Sequence, residues 1–511
     1  MRLASSAAVP DGLMRMGLAA RLARWARGGS LTAVIAMAAR ASSQLALLGV
    51  TLVATRTLMP ADFGVFAIAA AFLTLSRTML YTGPFEYVLK APEAEGPAVA
   101  SAGLAANMLV ALGWVAMLVG LGLAAPLLFR GPGVALLLFC LAPSNLLAAV
   151  AGWEEALLLR GQKVRRYYAI TVATEIGAGL GAALLLLAGW GLWALVAQVY
   201  ARLLIFIVAY RMVLTLPDLP RADPETTRAV LAWSWSRYGS IIVGFLANYS
   251  GDLLLGAVFS PAASGLYRAG NRLVTALADM FVQPATLLVT TGLAAEHARG
   301  EHAGGQQGAG TGWLRMAGVF GALCWPALAG VVVVSDLVAP LVLGPAWAGA
   351  GPIIAVFCLA RMAALPIAVA GAVLVIENRQ DRVLWIQSVA ALVTVGLTLA
   401  LAHKGPLAAA LATACVAVGW AGALGWAAWQ ARRGDDGMLG GGALGDLLRL
   451  IGWPTLTTFG LAWGARLVAG YWGLAPAFTL ALVIVTGLVA WGLALLSARG
   501  PLRAGIAALA R

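Results

Sequence analysis

Apolar segments of about 20–28 residues follow one another along almost the whole chain, separated by short polar or Gly/Pro-rich connectors. Each segment is long enough to cross the hydrocarbon core of a bilayer, which takes about 20 residues of α-helix. Only 11% of the 511 residues are charged, whereas soluble domains carry about 25%. The pattern therefore predicts an all-α integral membrane protein and excludes a soluble multidomain protein.

The polar connectors divide the chain into about 14 predicted transmembrane helices. We expect them near residues 31–56, 62–83, 99–128, 132–157, 167–188, 190–213, 229–258, 262–291, 313–342, 350–376, 383–402, 406–430, 447–470 and 475–498. The predicted order is a cytoplasmic basic segment (1–29), a six-helix lobe (30–213), a cytoplasmic linker (214–228), a second six-helix lobe (229–430), a cytoplasmic loop (431–446), a terminal helix pair (447–498) and a cytoplasmic tail (499–511).

Positive charge is distributed unevenly between the two predicted sides of the membrane. The connectors after even-numbered helices, both tails and Lys90 together hold 21 of the 34 Lys and Arg residues, whereas the odd-numbered connectors hold only Arg130 and Lys404. This asymmetry follows the positive-inside rule and predicts that both termini lie in the cytoplasm. Membrane topology thus accounts for the net charge of +13, and we predict no nucleic-acid partner.

One short connector occurs twice in the chain. PADFGVF (60–66) joins helices 1 and 2, and PAASGLY (261–267) joins helices 7 and 8, so that Pro60 recurs as Pro261 and Gly64 as Gly265, 201 residues later. FCLA likewise occurs in helix 4 (139–142) and in helix 10 (357–360). A repeat of six helices gives both lobes the same orientation, and repeat transporters typically bind substrate between their repeats.

Polar residues line up along one face of the first two helices of each lobe. Their spacings of 3, 4, 7 and 11 residues place them on one face of an α-helix. They are Arg40, Gln44 and Thr51 on helix 1, Thr74, Arg77 and Tyr81 on helix 2, Arg237, Asn248 and Asp252 on helix 7, and Arg268, Arg272, Thr275 and Asp279 on helix 8. An arginine in the middle of a membrane costs about 2.5–3.5 kcal/mol, so most of these side chains must face a wet cavity or a charged partner.

Five arginines are therefore predicted to bind an anionic substrate in a central cavity: Arg40, Arg77, Arg237, Arg268 and Arg272. Guanidinium groups bind phosphate in a bidentate manner and stay charged at physiological pH, so several around one space suit a diphosphate. Arg202, Arg361 and Arg466 each stand alone on a helix and are equally consistent with structural ion pairs. Asp252, Asp279 and Glu175 are candidates for binding a coupling ion (Na⁺ or H⁺) or for pairing with arginine.

Four segments carry a family resemblance. LMPADFGVFAIAAAFLTL resembles the helix 1–2 junction of the polysaccharide transporter (Wzx-like) family, the flippases of lipid-linked oligosaccharides, which belongs to the multidrug/oligosaccharidyl-lipid/polysaccharide exporter superfamily. GDLLLGAVFSPAASGLYRAGNRL is similar to its helix 7–8 segment, LGPAWAGAGPIIAVFCLARM to its helix 9–10 segment, and LLLRGQKVRRYYAI to its connector after helix 4. The resemblance covers most of residues 30–430.

The resemblance implies two parallel six-helix lobes in a V that alternate between inward and outward openings. It further implies a cationic cavity for the pyrophosphate of an undecaprenyl-diphosphate-linked oligosaccharide, such as an O-antigen, capsule or exopolysaccharide repeat unit, and a terminal helix pair that holds the lipid tail. The implied location is the bacterial cytoplasmic (inner) membrane. Implied partners are membrane lipids and a polysaccharide polymerase with its chain-length machinery, and we expect a monomer.

Two other functions remain open at this stage. A cation-coupled drug antiporter shares the implied fold, but its cavity should be acidic. An integral-membrane polysaccharide polymerase or ligase needs a large outer loop, whereas the outer connectors here are short. We predict a transporter without catalytic residues, cofactor or metal, since Cys140, Cys324, Cys358 and Cys415 lie in apolar stretches without ligand spacing. Transport is driven in this prediction by Na⁺, by H⁺ or by the membrane potential alone.

Overall fold

The computed structural model describes residues 30–91, 96–131, 133–214, 220–303, 312–431 and 441–497, which form helices and turns without β-strands. The predicted basic segment 1–29 and tail 499–511 lie outside the described residues, as do the middles of the linker 214–228 and of the loop 431–446. The described ranges contain fourteen long helices, as predicted, and the protein has an all-α membrane fold.

The helices of the first half are α1 Ser30–Thr57, α2 Pro60–Thr82, α3 Gly96–Leu128, α4 Gly133–Leu141 continued by Ser144–Arg160, α5 Val164–Leu187 and α6 Leu192–Arg211, with a short helix Pro84–Lys90 after α2. Those of the second half are α7 Pro224–Leu254, α8 Pro261–Ala303, α9 Gly312–Val338, α10 Gly351–Met362 continued by Ala364–Ile376, α11 Gln380–Leu401 and α12 Pro406–Ala431. The terminal pair is α13 Gly441–Tyr471 and α14 Pro476–Ser497. In the described residues, eleven of the helices are long and apolar enough to cross a membrane by length and composition, the other three being α1, α8 and α13.

Helix starts follow local chemistry. α2, α8, α12 and α14 all begin with proline, which fits the first helical position because its fixed φ suits the helix and no N–H is needed there. α7 starts five residues before its predicted start because Asp223 caps it, accepting hydrogen bonds from the main-chain N (2.8 Å) and the hydroxyl (2.6 Å) of Thr226. The hydroxyl contact, followed by the main-chain contact, lowers the pKa of the Asp223 carboxyl below its usual value.

Two helices that were predicted to be continuous are broken at equivalent places in the two halves. α4 is interrupted after Leu141 by a turn containing Pro143, and α10 is interrupted at Ala363. In a continuous α10 the ring of Pro366 would clash with the carbonyl of Met362, four residues earlier. Both breaks lie at or shortly after the repeated FCLA sequence, so the internal repeat extends to the shape of the helices.

Helix packing repeats with an offset of six helices. α1 packs on α5 as α7 packs on α11, α5 on α6 as α11 on α12, and α4 on α6 as α10 on α12. The most extensive packing between the halves joins α2 to α8, the two helices that begin at the duplicated connector. The predicted pair of parallel six-helix lobes is therefore confirmed as a feature of the fold.

The terminal pair attaches to the second half. α13 packs on α9 and on α14. The Trp491 indole N–H donates to the carbonyl of Ala322 at 2.9 Å. Arg466 pairs with Asp336 at 2.5 Å and also donates to the carbonyl of Val333. Three points of α9 thus anchor the pair, and Arg466 serves packing, as one of its two predicted roles required.

The two copies of the duplicated connector meet. A Cβ at Gly64 would overlap the main-chain carbonyl of Pro261, and a Cβ at Gly265 would overlap the carbonyl of Pro60. The two backbones approach this closely because glycine has no side chain. We call the contact between Pro60–Gly64 and Pro261–Gly265 the connector seam, and the end of the bundle where it lies the connector end.

Candidate functional site

A cavity of about 740 Å³ lies between the two six-helix lobes. Its walls come from α1, α2, α5 and α6 on one side and from α7, α8 and α10 on the other. Along α2 the lining residues run from Phe63, beside the connector seam, to Thr78, a distance of about 22 Å at the helical rise. The first helices of each lobe thus enclose the space that their polar faces predicted.

Charge on the cavity wall is dominated by arginine. The charged lining residues are Arg77, Glu175 and Arg202 from the first lobe and Arg268, Arg272, Asp279 and Arg361 from the second. The wall of this space within the membrane-spanning bundle therefore carries five guanidinium groups and two carboxylates. Because charges at this depth are costly unless they are solvated or paired, the excess of arginine indicates a wet cavity suited to an anion.

Arg77 stands in the wall of the first lobe and forms no ion pair with any of the described residues. Its Nε and Nη2 atoms are buried and have no hydrogen-bond partner among the described residues. Buried polar groups in native proteins are nearly always hydrogen-bonded, and each exception needs an explanation. A ligand that accepts hydrogen bonds from the cavity would supply one.

Arg268 and Arg272 stand one helical turn apart on α8 and differ in their partners. Arg268 forms an ion pair with the fully buried Asp252 at 2.9 Å and lies 4.6 Å from the ring centroid of Tyr249. Arg272 makes no ion pair or hydrogen bond within the described residues. Arg272 therefore has its hydrogen-bonding capacity available to the cavity, whereas two nitrogens of Arg77 on the opposite wall are buried and have no hydrogen-bond partner among the described residues.

The remaining two arginines of the wall are held by neighbours. Arg202 on α6 forms an ion pair with Glu175 on α5. Arg361 on α10 donates to the side-chain oxygen of Asn271 at 3.1 Å, and Asp279 is close enough to interact with it electrostatically. Amide and hydroxyl groups complete the polar lining, and they include Gln44, Thr51, Thr74, Gln198, Asn248 and Thr275. Such groups can exchange hydrogen bonds with sugar hydroxyls.

Three predicted site residues are not among those lining the cavity. Arg237 on α7 pairs with Glu86 of the short helix after α2 at 2.9 Å and lies 5.0 Å from the ring centroid of Trp233. Asp252 lies behind Arg268. Arg40 belongs to α1, one turn before the lining residue Gln44, but its side chain lies outside the described residues. The structure therefore brings together Arg77, Arg268, Arg272, Asp279 and Glu175 on the cavity wall. Asp252 contacts this set from behind, through Arg268, whereas Arg237 pairs with Glu86.

Sequence reasoning gave Arg202 and Arg361 no place in the predicted site. Each is the sole arginine within the membrane on its helix, so neither helix shows the periodic polar face that identified α2 and α8. The sequence feature that could have identified them is the free-energy cost of placing an arginine within a membrane span. This cost applies to a single arginine as well as to a row of polar residues along one helix face. That cost alone cannot distinguish a cavity from an ion pair. Arg202 lines the cavity and also forms an ion pair, whereas Arg361 lines the cavity and donates a hydrogen bond to Asn271.

Comparison with known families assigns the chain. The profile of the family described as "Polysaccharide biosynthesis protein" matches residues 53–352, which is more than half of the sequence. The chain belongs to the polysaccharide biosynthesis protein family. The predicted membership in a polysaccharide biosynthesis family is thereby confirmed. No curated protein sequence matches the chain.

Solved structures share the fold of this family member at low sequence identity. Lipid II flippase MurJ in an inward closed conformation superposes with a TM-score of 0.72 and 10% identity, covering 91% of this chain and 97% of its own. An inward-facing multidrug resistance MATE family transporter of the MOP superfamily superposes with a TM-score of 0.62 and 11% identity, covering 76% and 94%. At such identities the similarity establishes the fold alone. A substrate has to be inferred from the residues that line the cavity.

Proposed function

We propose that the protein is a flippase that moves an undecaprenyl-diphosphate-linked oligosaccharide from the inner to the outer leaflet of the bacterial cytoplasmic membrane by alternating access. The observation that carries this proposal is a pair of arginines, Arg77 and Arg272. They stand on opposite lobes, line the same cavity and have no ion-pair partner among the described residues.

A diphosphate suits these two groups better than other anions. It offers two adjacent phosphoryl groups, so each lobe can contribute one guanidinium to one substrate, and each guanidinium can form two parallel hydrogen bonds. Arg268, Arg202 and Arg361 surround the pair and keep the potential of the cavity positive. The amide and hydroxyl groups of the wall are then available to the sugar.

Two observations support a substrate with a lipid portion: the apolar surface of the terminal pair and the similarity of the fold. α13 and α14 pack on α9 beside the second lobe and expose large apolar side chains, including Leu467, Phe478 and Leu493. A polyprenyl chain needs an apolar surface of this kind while its headgroup occupies the cavity. The lipid II flippase also covers a larger share of this chain than the MATE transporter does.

The alternative of a cation antiporter is less well supported. A cation antiporter needs carboxylates that are free to bind cations, whereas arginines outnumber acidic groups five to two on the cavity wall. Asp279, Asp252 and Glu175 remain proposed sites for a coupling Na⁺ or H⁺, and the membrane potential is a third proposed driving force, worth about 2.3 kcal/mol per charge per 100 mV. We further propose a monomer that works beside a polysaccharide polymerase, with both termini in the cytoplasm.

The proposal is tested in cells that lack their own copy of the protein. Expression of the wild-type chain should restore surface polysaccharide, whereas Arg77→Gln and Arg272→Gln should leave the lipid-linked repeat unit in the inner leaflet. Arg130→Gln is the matched control, because Arg130 is exposed in the α3–α4 connector and is not among the cavity-lining residues. Full polysaccharide production by a doubly substituted Arg77/Arg272 variant of normal abundance would refute the proposal.

A further inference from the structure

We infer that the connector seam is the gate that closes one end of the cavity, and that Arg56 and Trp347 hold it shut. The gate lies at the end of the cavity rather than in its walls, so its role does not depend on which anion the cavity binds.

The seam closes the cavity because of where it lies. Phe63 is both a member of the seam and a lining residue, and Ala54 and Val50 line the cavity on the neighbouring turns of α1. Phe63 is buried, with an exposed fraction of 3%, and its ring packs edge-on against Trp347 at a centroid distance of 5.5 Å. A substrate that leaves through the connector end must therefore separate α2 from α8 at this point.

The seam itself is a contact between two backbones. Gly64 faces the carbonyl of Pro261, and Gly265 faces the carbonyl of Pro60. Contacts of this type are individually weak, with Cα–H groups opposite carbonyl oxygens contributing about 0.5–1 kcal/mol each. They nevertheless require an unusually short separation, because the backbones of α2 and α8 touch without side chains between them. A gate with a weak, short-range contact can seal tightly and still open.

Two side chains fasten the first lobe to the second beside the seam. The Trp347 indole N–H donates to the carbonyl of Thr55 at 2.6 Å, and Trp347 is fully buried. Arg56 donates to the carbonyls of Val342, at 3.4 Å, and Leu341. Both acceptors lie in the π-helical turn Ala339–Leu343 that ends α9.

The carbonyls of Leu341 and Val342 can accept hydrogen bonds from Arg56 because they lie at the end of α9. The last carbonyls of a helix have no partner within the helix and must be satisfied from outside. Arg56 of the opposite lobe meets this need only while the lobes are closed at the connector end. Opening would expose these carbonyls and free Arg56, so the contact stabilises the closed gate specifically.

The experiment uses a thiol reporter in the full-length protein. Thr74 lines the cavity and is half-buried, so Thr74→Cys reports access to the cavity, and the chain without this change measures labelling of the native cysteines. A membrane-impermeant maleimide is applied to sealed vesicles of either orientation. Arg130→Cys identifies the vesicle face at the connector end, because Arg130 is exposed there and its main-chain N–H contacts the Gly256 carbonyl at 3.4 Å.

Gly64→Ala and Gly265→Ala should each increase the labelling rate of the Thr74→Cys reporter from the connector end by at least several-fold, because a methyl group forces the backbones apart. Gly49→Ala and Gly113→Ala are the controls, since no described atom lies within 4 Å of a Cβ at either position. Arg56→Gln should act in the same direction and needs no repacking of the buried seam. If labelling in Arg56→Gln and in every folded glycine variant equals that of the controls, the gate assignment is wrong. If both glycine variants fail to fold, Arg56→Gln alone decides.

Discussion

Nη1 of Arg268 lies 2.9 Å from Oδ2 of Asp252, and these two residues flank the connector that joins α7 to α8. The carboxylate is fully buried, and the main-chain carbonyl of Asp252 accepts a hydrogen bond from the Ser264 hydroxyl at 2.8 Å. The pair therefore fixes the start of α8 against the end of α7, and it does so at the edge of the cavity.

Asp252→Ala should destabilise the protein strongly. It leaves the partly buried Arg268 without its counter-charge, and breaking a buried ion pair typically costs about 3–5 kcal/mol. The measurement is thermal unfolding in detergent followed by intrinsic fluorescence. The double variant Asp252→Ala/Arg268→Met should recover part of the loss, because no uncompensated charge remains. A single variant as stable as wild type would show that the pair contributes little to folding.

Arg77→Gln and Arg272→Gln should each weaken binding of a prenyl diphosphate. Hydrogen bonds to charged groups contribute about 1.5–3 kcal/mol, which corresponds to a loss of about 10- to 150-fold in affinity. Binding of a short-chain prenyl diphosphate to the purified protein gives the affinity directly. Thermal unfolding of the same variants should change little, because neither guanidinium has a partner to lose within the described residues. A loss of stability without a loss of affinity would contradict the proposed role.

Glu175→Gln should tighten diphosphate binding. The substitution removes the carboxylate that pairs with Arg202, so this guanidinium becomes available on the cavity wall and the cavity becomes more positive. The same variant tests the proposed coupling ion. If Glu175 binds Na⁺ or H⁺, transport by Glu175→Gln should lose its dependence on that ion. If Glu175 is a charge partner alone, the ion dependence should persist while affinity rises and substrate release slows.

Arg466→Gln should have a small effect on stability and none on diphosphate affinity. Its partner Asp336 is about half exposed, and exposed ion pairs contribute about 0.2–1 kcal/mol. This variant is therefore the counterpart of Arg272→Gln, since both remove an intramembrane arginine but only one arginine lines the cavity. Parallel binding and unfolding measurements separate an arginine that fastens helices from one that binds substrate. A large loss of affinity in Arg466→Gln would place the terminal pair in headgroup binding.

Most helix ends could be predicted closely from the sequence because the bilayer sets the length of a transmembrane helix, whereas α8 continues to Ala303, about twelve residues beyond its predicted end at 291. Both ends of α12, predicted at 406–430, lie within one residue of those in the structure. The breaks in α4 and α10 were missed because Pro143 and Pro366 lie inside long apolar runs, and composition does not show whether such a proline bends a helix or splits it. The π-helical turns Leu255–Phe259 after α7 and Ala339–Leu343 after α9 likewise depend on tertiary contacts that no local pattern displays.

The cavity could be predicted in part. Polar faces on α2 and α8 identified Arg77 and Arg272, because periodicity along one helix is visible in a sequence. The ion pair of Arg237 with Glu86 was not visible, because Glu86 lies beyond the predicted end of helix 2 and the pair joins different lobes. Arg202 and Arg361 reach the wall through convergence of separate helices, which is a property of the bundle rather than of any one segment.

The contact at Gly64 and Gly265 is reciprocal, since each glycine meets the proline that precedes the other. If a single six-helix unit dimerised symmetrically through this contact, its connector would meet the same connector of its partner, and one glycine codon would serve both subunits. In this chain the two glycines are separate positions, so a mutation at one is not mirrored at the other. The halves can therefore diverge in charge and substrate contacts everywhere except where they touch.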